Sequence, residues 1–304
     1  MNPEPVECTG SIYPEGEALF RRFLPAVFVL VFTLSACDLH ISLPVTQPTG
    51  PTTTDEITAP LPAASAQPAV VTVAFGAGTL KLHSGAAASS LVSGTATYNI
   101  SDFKPTVTVN AASVRIEQGN WRLSGIPDLS KVKNEWDLSL AKVPLDLTID
   151  GGAYHAEYDF GGLALTDLTI SDGAADVTAK FSSPNLAQMS LLSYSTGASN
   201  VSLTGLGNAN FASLEFDSGA GNYTLDFSGK LKRNGSVHIG TGVSNLTLVI
   251  PVAVPVQITV KGGASNVTSG SGWTRNGNVY TQVGTGPELT FVIEIGAGNI
   301  TLTR

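Results

Sequence analysis

The sequence predicts an all-β protein built as a solenoid, a β-helix-like stack of repeats of about 22 residues each. Three observations predict it. Eight glycines followed by a small apolar residue each lie between two alternating apolar runs: Gly76, Gly152, Gly173, Gly197, Gly219, Gly242, Gly263 and Gly296. From Gly152 to Gly263 the spacing is nearly constant, and the next step, to Gly296, is longer; a fixed period in that range marks a repeat architecture. Five and three residues before each glycine, and four and six after it, the side chains are almost all β-branched, aromatic or Leu, as in Leu214/Phe216 and Tyr223/Leu225; only Ser269 is a clear departure. Spacing by two is the period of a strand with one buried face. Finally, three residues after the glycine the later repeats carry Asn: Asn200, Asn222, Asn245, Asn266 and Asn299.

Inward positions are odd offsets before the glycine and even offsets after it, so the chain must bend or bulge there. Glycine supplies either a positive φ or a close backbone approach at such a corner. The Ala or Val that follows it fits a small inward position. Asn tolerates the left-handed region, and in stacked coils the amides would form a ladder. An antiparallel sandwich of hairpins also gives short strands at regular spacing; the constant Gly-x-x-Asn offset favours stacking.

In chain order, residues 1–36 read as a signal peptide. Arg21 and Arg22 precede an apolar run from Phe23 to Leu34, too short to span a membrane, and then Leu34-Ser-Ala-Cys37. Glu4, Glu7, Glu15 and Glu17 do not suit an n-region and are consistent with a misassigned start within residues 1–20. Of the two cysteines, Cys8 would be removed and Cys37 retained, which leaves no disulfide. Residues 37–68, rich in Pro, Thr, Ser and Ala, read as an extended tether. Residues 69–129 form an N-terminal β region with strands expected at Ala69–Phe75, Thr79–His83, Leu91–Tyr98, Thr106–Asn110 and Ser113–Glu117. Residues 130–304 carry the repeats. No stretch outside the signal peptide has a helical period. Because Phe291–Leu302 alternates cleanly and no polar segment follows, the C-terminal strand is expected to present an open edge suited to self-association.

Leu34-Ser-Ala-Cys37 resembles a bacterial lipoprotein lipobox, which implies lipidation of Cys37 and a place in the cell envelope, on the extracytoplasmic side of the membrane. The stretches Ala74-Phe-Gly-Ala-Gly-Thr-Leu-Lys-Leu82 with Thr97–Pro105, Asn134-Glu-Trp-Asp-Leu-Ser-Leu140 with Val143–Leu147, and the Gly-Ala-x-Asn repeats to Ile300 resemble the bacterial toast-rack family, whose domain also forms the C-terminal part of LiaF-type envelope-stress regulators. They are similar too to a wider group of adhesin-like domains. The resemblance implies a solenoid-like β fold and a non-catalytic envelope role: adhesion or binding of an envelope protein or glycan, with a regulatory part in envelope-stress signalling as the alternative.

The residues support no specific chemistry. Net charge is −8 with 13% charged residues, so the outer face must be mainly Ser, Thr, Asn and Gly, and nucleic acid is excluded as a partner. His40, His83, His155 and His238 lack ligand spacing, and no metal or cofactor is expected. A carbohydrate-active enzyme would need a carboxylate groove, for which stacking would have to gather Asp150, Asp172 and Asp217. Gly262–Asn266 and Asp172–Asp176 only weakly resemble a calcium nonapeptide. Of seven Asn-x-Ser/Thr sequons, five are the repeat itself: corner Asn, inward apolar residue, outward Ser or Thr.

Overall fold

A computed structural model describes residues 49–62, 67–111, 113–119 and 131–304. The signal peptide and the Cys8 and Cys37 readings lie outside the described residues. In chain order the strands are β1 (Thr53–Pro60), β2 (Ala69–Ser84), β3 (Ser90–Tyr98), β4 (Pro105–Asn110), β5 (Ser113–Gln118), β6 (Asn134–Leu140), β7 (Pro144–Asp159), β8 (Ala164–Asp172), β9 (Ala174–Lys180), β10 (Met189–Thr204), β11 (Phe211–Asp226), β12 (Gly235–Val249), β13 (Val256–Ser269), β14 (Thr274–Asn276), β15 (Val279–Gln282) and β16 (Leu289–Thr303). All sixteen belong to one sheet.

Each repeat is one long strand bent at its glycine into two legs. At Gly173 the strand is interrupted, and β8 and β9 serve as the legs. Coil lies on coil in parallel register: Leu214 and Phe216 of β11 face Leu192 and Tyr194 of β10 on one side, and Val237 and Ile239 of β12 on the other. This is the solenoid, not the sandwich. The residues five and three before all eight glycines are buried. So are those four and six after, except at the β13 coil, where Val267 is half-buried and Ser269 exposed. Each fully buried Leu, Phe or Ile stabilises the stack by about 1.5–3 kcal/mol. Aromatic rings continue from coil to coil, as in Tyr194 on Phe216 at 5.4 Å between centroids and Phe227 on Phe291 at 5.1 Å. Return loops close the third side, where the buried Asn185 amide bonds the Leu165 N–H and C=O and the carbonyls of Ala187 and Ala209.

The parity change is made by two consecutive outward residues. Thr196 and Ser199 are buried on either side of Gly197 and Ala198, which both face out. The residue after the glycine is therefore outward, not inward as expected; Val243 is 64% exposed. The corner glycines have no left-handed φ. They are required by close approach: a Cβ on Gly219 would lie 2.5 Å from the Gly197 carbonyl oxygen, and one on Gly242 would lie 2.6 Å from that of Gly219.

Order in space departs from order in sequence at both ends. β2 stacks on β7 although three intervening strands and their loops separate Gly76 from Gly152 in the chain, besides β6 itself. Near the C-terminus β16 lies between β12 and β13, parallel to both. The long step to Gly296 arises because β13 leaves a gap beside β12, the β14–β15 hairpin turns the chain, and β16 fills the gap. The expected open edge at Phe291–Leu302 is thereby corrected: both sides of that strand are hydrogen-bonded. Within the expected 37–68 tether, Thr53–Pro60 is instead a strand, since β1 pairs antiparallel with β3 and buries Ile57 and Ala59, while residues 37–48 and 63–66 lie outside the described residues. No break in the sheet falls at 129/130, because β6 bridges β2 and β3.

Candidate binding face

The corner and second legs present a flat outer face built in columns. Next to the corner glycines runs a rail of small residues, Ala77, Ala153, Ala174, Ala198, Ala220, Val243 and Ala297. Beside it stands the amide column. Asn222 Nδ2 donates to Asn200 Oδ1 at 2.9 Å, Asn245 to Asn222 at 3.0 Å, and Asn299 to Asn245 at 2.9 Å. Each ladder bond uses one donor and one acceptor, so every internal amide keeps a second N–H and a second lone pair for solvent or a ligand. Asn266 stands in register with Asn299 at the end of the column. Towards the other end the column continues through Asp176, His155 and Thr79, with His155 Nδ1 3.7 Å from Asp176 Oδ2.

Two residues further along each strand comes a hydroxyl column. Thr178, Ser202, Thr224, Thr247, Thr301 and Thr268 are successive register partners on six coils, at the strand spacing of about 4.8 Å. Glu157, Lys81 and Asp137 extend the same row. The face is thus neutral over its amide and hydroxyl part and densely ionic at the β6–β2–β7 end. There Lys81 pairs with Glu157 at 3.2 Å, His83 Nε2 with Asp137 at 3.0 Å, and Lys180 with Asp159 at 3.5 Å, around a depression of about 400 Å³. His83 and His155 share this cluster although they lie on strands far apart in sequence, β2 and β7. The signal was their outward offset in coils that proved to be neighbours.

The carboxylates do not converge. Asp150 and Asp217 are exposed on first legs, whereas Asp172 faces inward and is buried. Asp172 accepts from the Tyr194 hydroxyl at 2.6 Å, from Ser199 Oγ at 3.3 Å and from Thr196 Oγ1. Ser199 Oγ in turn accepts from the Ala175 N–H at 2.9 Å. Burial, then the Asp172 charge, pushes the Tyr194 hydroxyl well above its ordinary value. The cluster ties the corners of the β8–β9 and β10 coils together and is closed to substrate. On the first legs Asp146 and Asp167 are register partners, and burial, then its neighbour's charge, raises the Asp146 carboxyl. Among the described residues no group of three His, Cys, Asp or Glu is placed to hold a metal ion, and no helix is long and apolar enough to cross a membrane.

The stack is capped at its first corner by a side chain. Gly197 and Ala198 N–H groups donate to the Gly173 carbonyl of the preceding coil at 3.1 and 3.0 Å. At Gly76 no glycine corner precedes, and Gln118 Oε1 takes that carbonyl's place, accepting from Gly76 N at 3.0 Å, Ala77 N at 3.4 Å and Asn134 Nδ2 at 2.9 Å. Neither Gln118 nor Asn185 stands out in the sequence, because each acts once and outside the repeat.

Among curated proteins no relative matches this chain. Among solved structures, similar ones are a candidate cell adhesion protein from Clostridium sporogenes (20% identity, 83% of this chain and 99% of that one, TM-score 0.46) and a candidate adhesin from Bacteroides fragilis (12%, 85% and 100%, TM-score 0.35). A candidate lipid binding protein from Parabacteroides distasonis is also similar (11%, 84% and 98%, TM-score 0.30). Residues 48–191 match the model of the N-terminal domain of toast-rack, DUF2154. That match begins just before β1, crosses position 130 without a break and ends within β10, and over those residues the chain is similar to the toast-rack family.

Proposed function

We propose that this chain is a non-catalytic, adhesion-like protein of the cell envelope, anchored by lipid on Cys37 and binding a repetitive envelope glycan along its amide and hydroxyl columns. The observation that carries the reading is the register of Thr178, Ser202, Thr224, Thr247, Thr301 and Thr268 beside the Asn200–Asn222–Asn245–Asn299 ladder. A surface that repeats the same donors and acceptors on every coil is matched to a polymer that repeats its own. Many weak contacts then act together through effective concentration. No charge has to be desolvated in the neutral part of the face, and the buried Asp172 cluster offers no accessible nucleophile or acid.

The test is cosedimentation of the full chain with purified cell-wall glycan. Replacement of Thr224 and Thr247 by Lys changes two half-exposed positions at the middle of the hydroxyl column and is expected to abolish binding. Replacement of Glu215 by Ser on the first-leg face is expected to leave it intact. Equal binding by all three proteins, or no binding by the unaltered chain, would overturn the reading.

A further inference from the structure

The two ends of the stack are closed differently. At one end both legs of β2 are covered, by β5 and then β4 on the first leg, and by β6, β3 and β1 on the second. At the other end β15 pairs with Val256–Thr259 of β13, and Asn278 extends the cover to Val260. Beyond that point β13 is bonded to β16 on one side, and among the described residues nothing pairs with the outer side of Gly262–Ser269. Edge strands are ordinarily guarded by charge, proline or a covering element. The edge at β1 carries Asp55, Glu56 and Pro60. From Gly262 to Ser269 there is neither a charged residue nor a proline. It is also here that the inward positions are least buried, with Val267 half-buried and Ser269 exposed.

We propose that this edge pairs with the same edge of a second copy of the chain, antiparallel, about a twofold axis at Val267. Opposed residues in a sheet share a face, so inward residues must meet inward ones. With Val267 opposite its own counterpart, Asn266 of each copy meets Thr268 of the other, and Ser265 meets Ser269. This register sets the two half-buried valines together. Antiparallel pairing also puts the two glycine corners at opposite ends of the joined strands. The two β14–β15 hairpins, which project past β13 on the first legs, then flank the join. Parallel pairing would bring both hairpins to the same side, one against the other. A second copy suits the edge because the stretch is its own complement: it is uncharged, and an isologous contact closes as a dimer. Across the join the outward Asn and Thr columns of one copy run on into those of the other. The proposal does not depend on what the face binds.

The test uses the full chain in non-ionic detergent, analysed by sedimentation. The unaltered chain is expected to form dimers. Asn266→Lys with Thr268→Lys changes two exposed outward residues that face each other in the join, and it is expected to weaken self-association at least tenfold while leaving the far-ultraviolet circular dichroism spectrum of the folded chain unchanged. Mixing that variant with Asn266→Glu, Thr268→Glu chains is expected to restore dimers, now mixed ones. Should the lysine variant fold poorly, oxidative crosslinking decides: Asn266→Cys chains mixed with Thr268→Cys chains should crosslink well above either alone. A monomeric unaltered chain, dimers indifferent to the lysine pair, or crosslinking no greater in the mixture would each overturn the proposal.

Discussion

Replacing Gly219 by Ala tests what the corner glycines are for. Neither Gly219 nor Gly173 has a left-handed φ, so Ala can adopt the backbone of both and any cost reports the space available. A Cβ on Gly219 would lie 2.5 Å from the Gly197 oxygen, against an ordinary contact of 3.4 Å. The two coils would have to part by most of an ångström. At Gly173 the same atom would lie 3.1 Å from the Gly152 oxygen, a shortfall only a third as large. Overpacking of the first kind costs about 1–3 kcal/mol. In the second case the smaller strain is offset by the loss of unfolded-chain freedom, which favours Ala by about 0.4–1 kcal/mol. At about 2–4 °C per kcal/mol for a chain of this size, Gly219→Ala should lower the thermal midpoint by roughly 2–12 °C, with Gly173→Ala changing it little. The assay is thermal unfolding of the full chains followed by far-ultraviolet circular dichroism. Equal shifts for the two variants, or none for Gly219→Ala, would refute close stacking as the reason for glycine.

Asp172→Ala strips the Tyr194, Thr196 and Ser199 hydroxyls of their shared acceptor and should cost about 1.5–3 kcal/mol, read as a fall in the urea midpoint. Gln118→Ala removes the acceptor for Gly76 and Ala77 and should raise amide-hydrogen exchange at those two positions while leaving Gly197 protected. Burial, then a hydrogen bond to Asp55, pushes the Tyr98 hydroxyl up to about 12 from 10.0. Because the folded value is the higher, this contribution to stability is full below pH 10 and lost as pH rises towards 12. Alkaline unfolding of Tyr98→Phe should therefore show a shallower decline over that window. Cys37→Ser should abolish incorporation of a fatty-acid probe that labels the unaltered chain.

The repeats were legible because their signal is periodic. Leu214, Phe216, Tyr223 and Leu225 recur at fixed offsets from a glycine in every coil, and stacking converts that offset directly into register. The Asn–Asn ladder and the outward Ser or Thr follow from the same offset. What the periodicity cannot carry is anything that happens once. The polar composition around Ile57 and Ala59 hid an edge strand, since two inward residues are too few to establish a period. The inward reading of the residue after glycine missed that a bulge here takes two outward residues, not one. The cap by Gln118, the staple by Asn185 and the meeting of His83 with His155 all depend on which coils are neighbours, and β2 and β7 are neighbours across a long insertion.

The placement of β16 has a consequence for how the chain reaches its structure. As the chain emerges, β13 becomes available before β16, and the uncovered side of β12 is then free. The glycine, alanine and asparagine of β13 match those of β16 at every offset, so β13 can occupy that side in the register that β16 finally holds. Native assembly requires β13 to stand one coil away or to be displaced when β16 arrives. The same internal likeness that lets the coils stack thus builds in a competing pairing near the end of folding, and the β14–β15 hairpin, by clipping the first leg of β13 on its outer side, is the element that favours the native order.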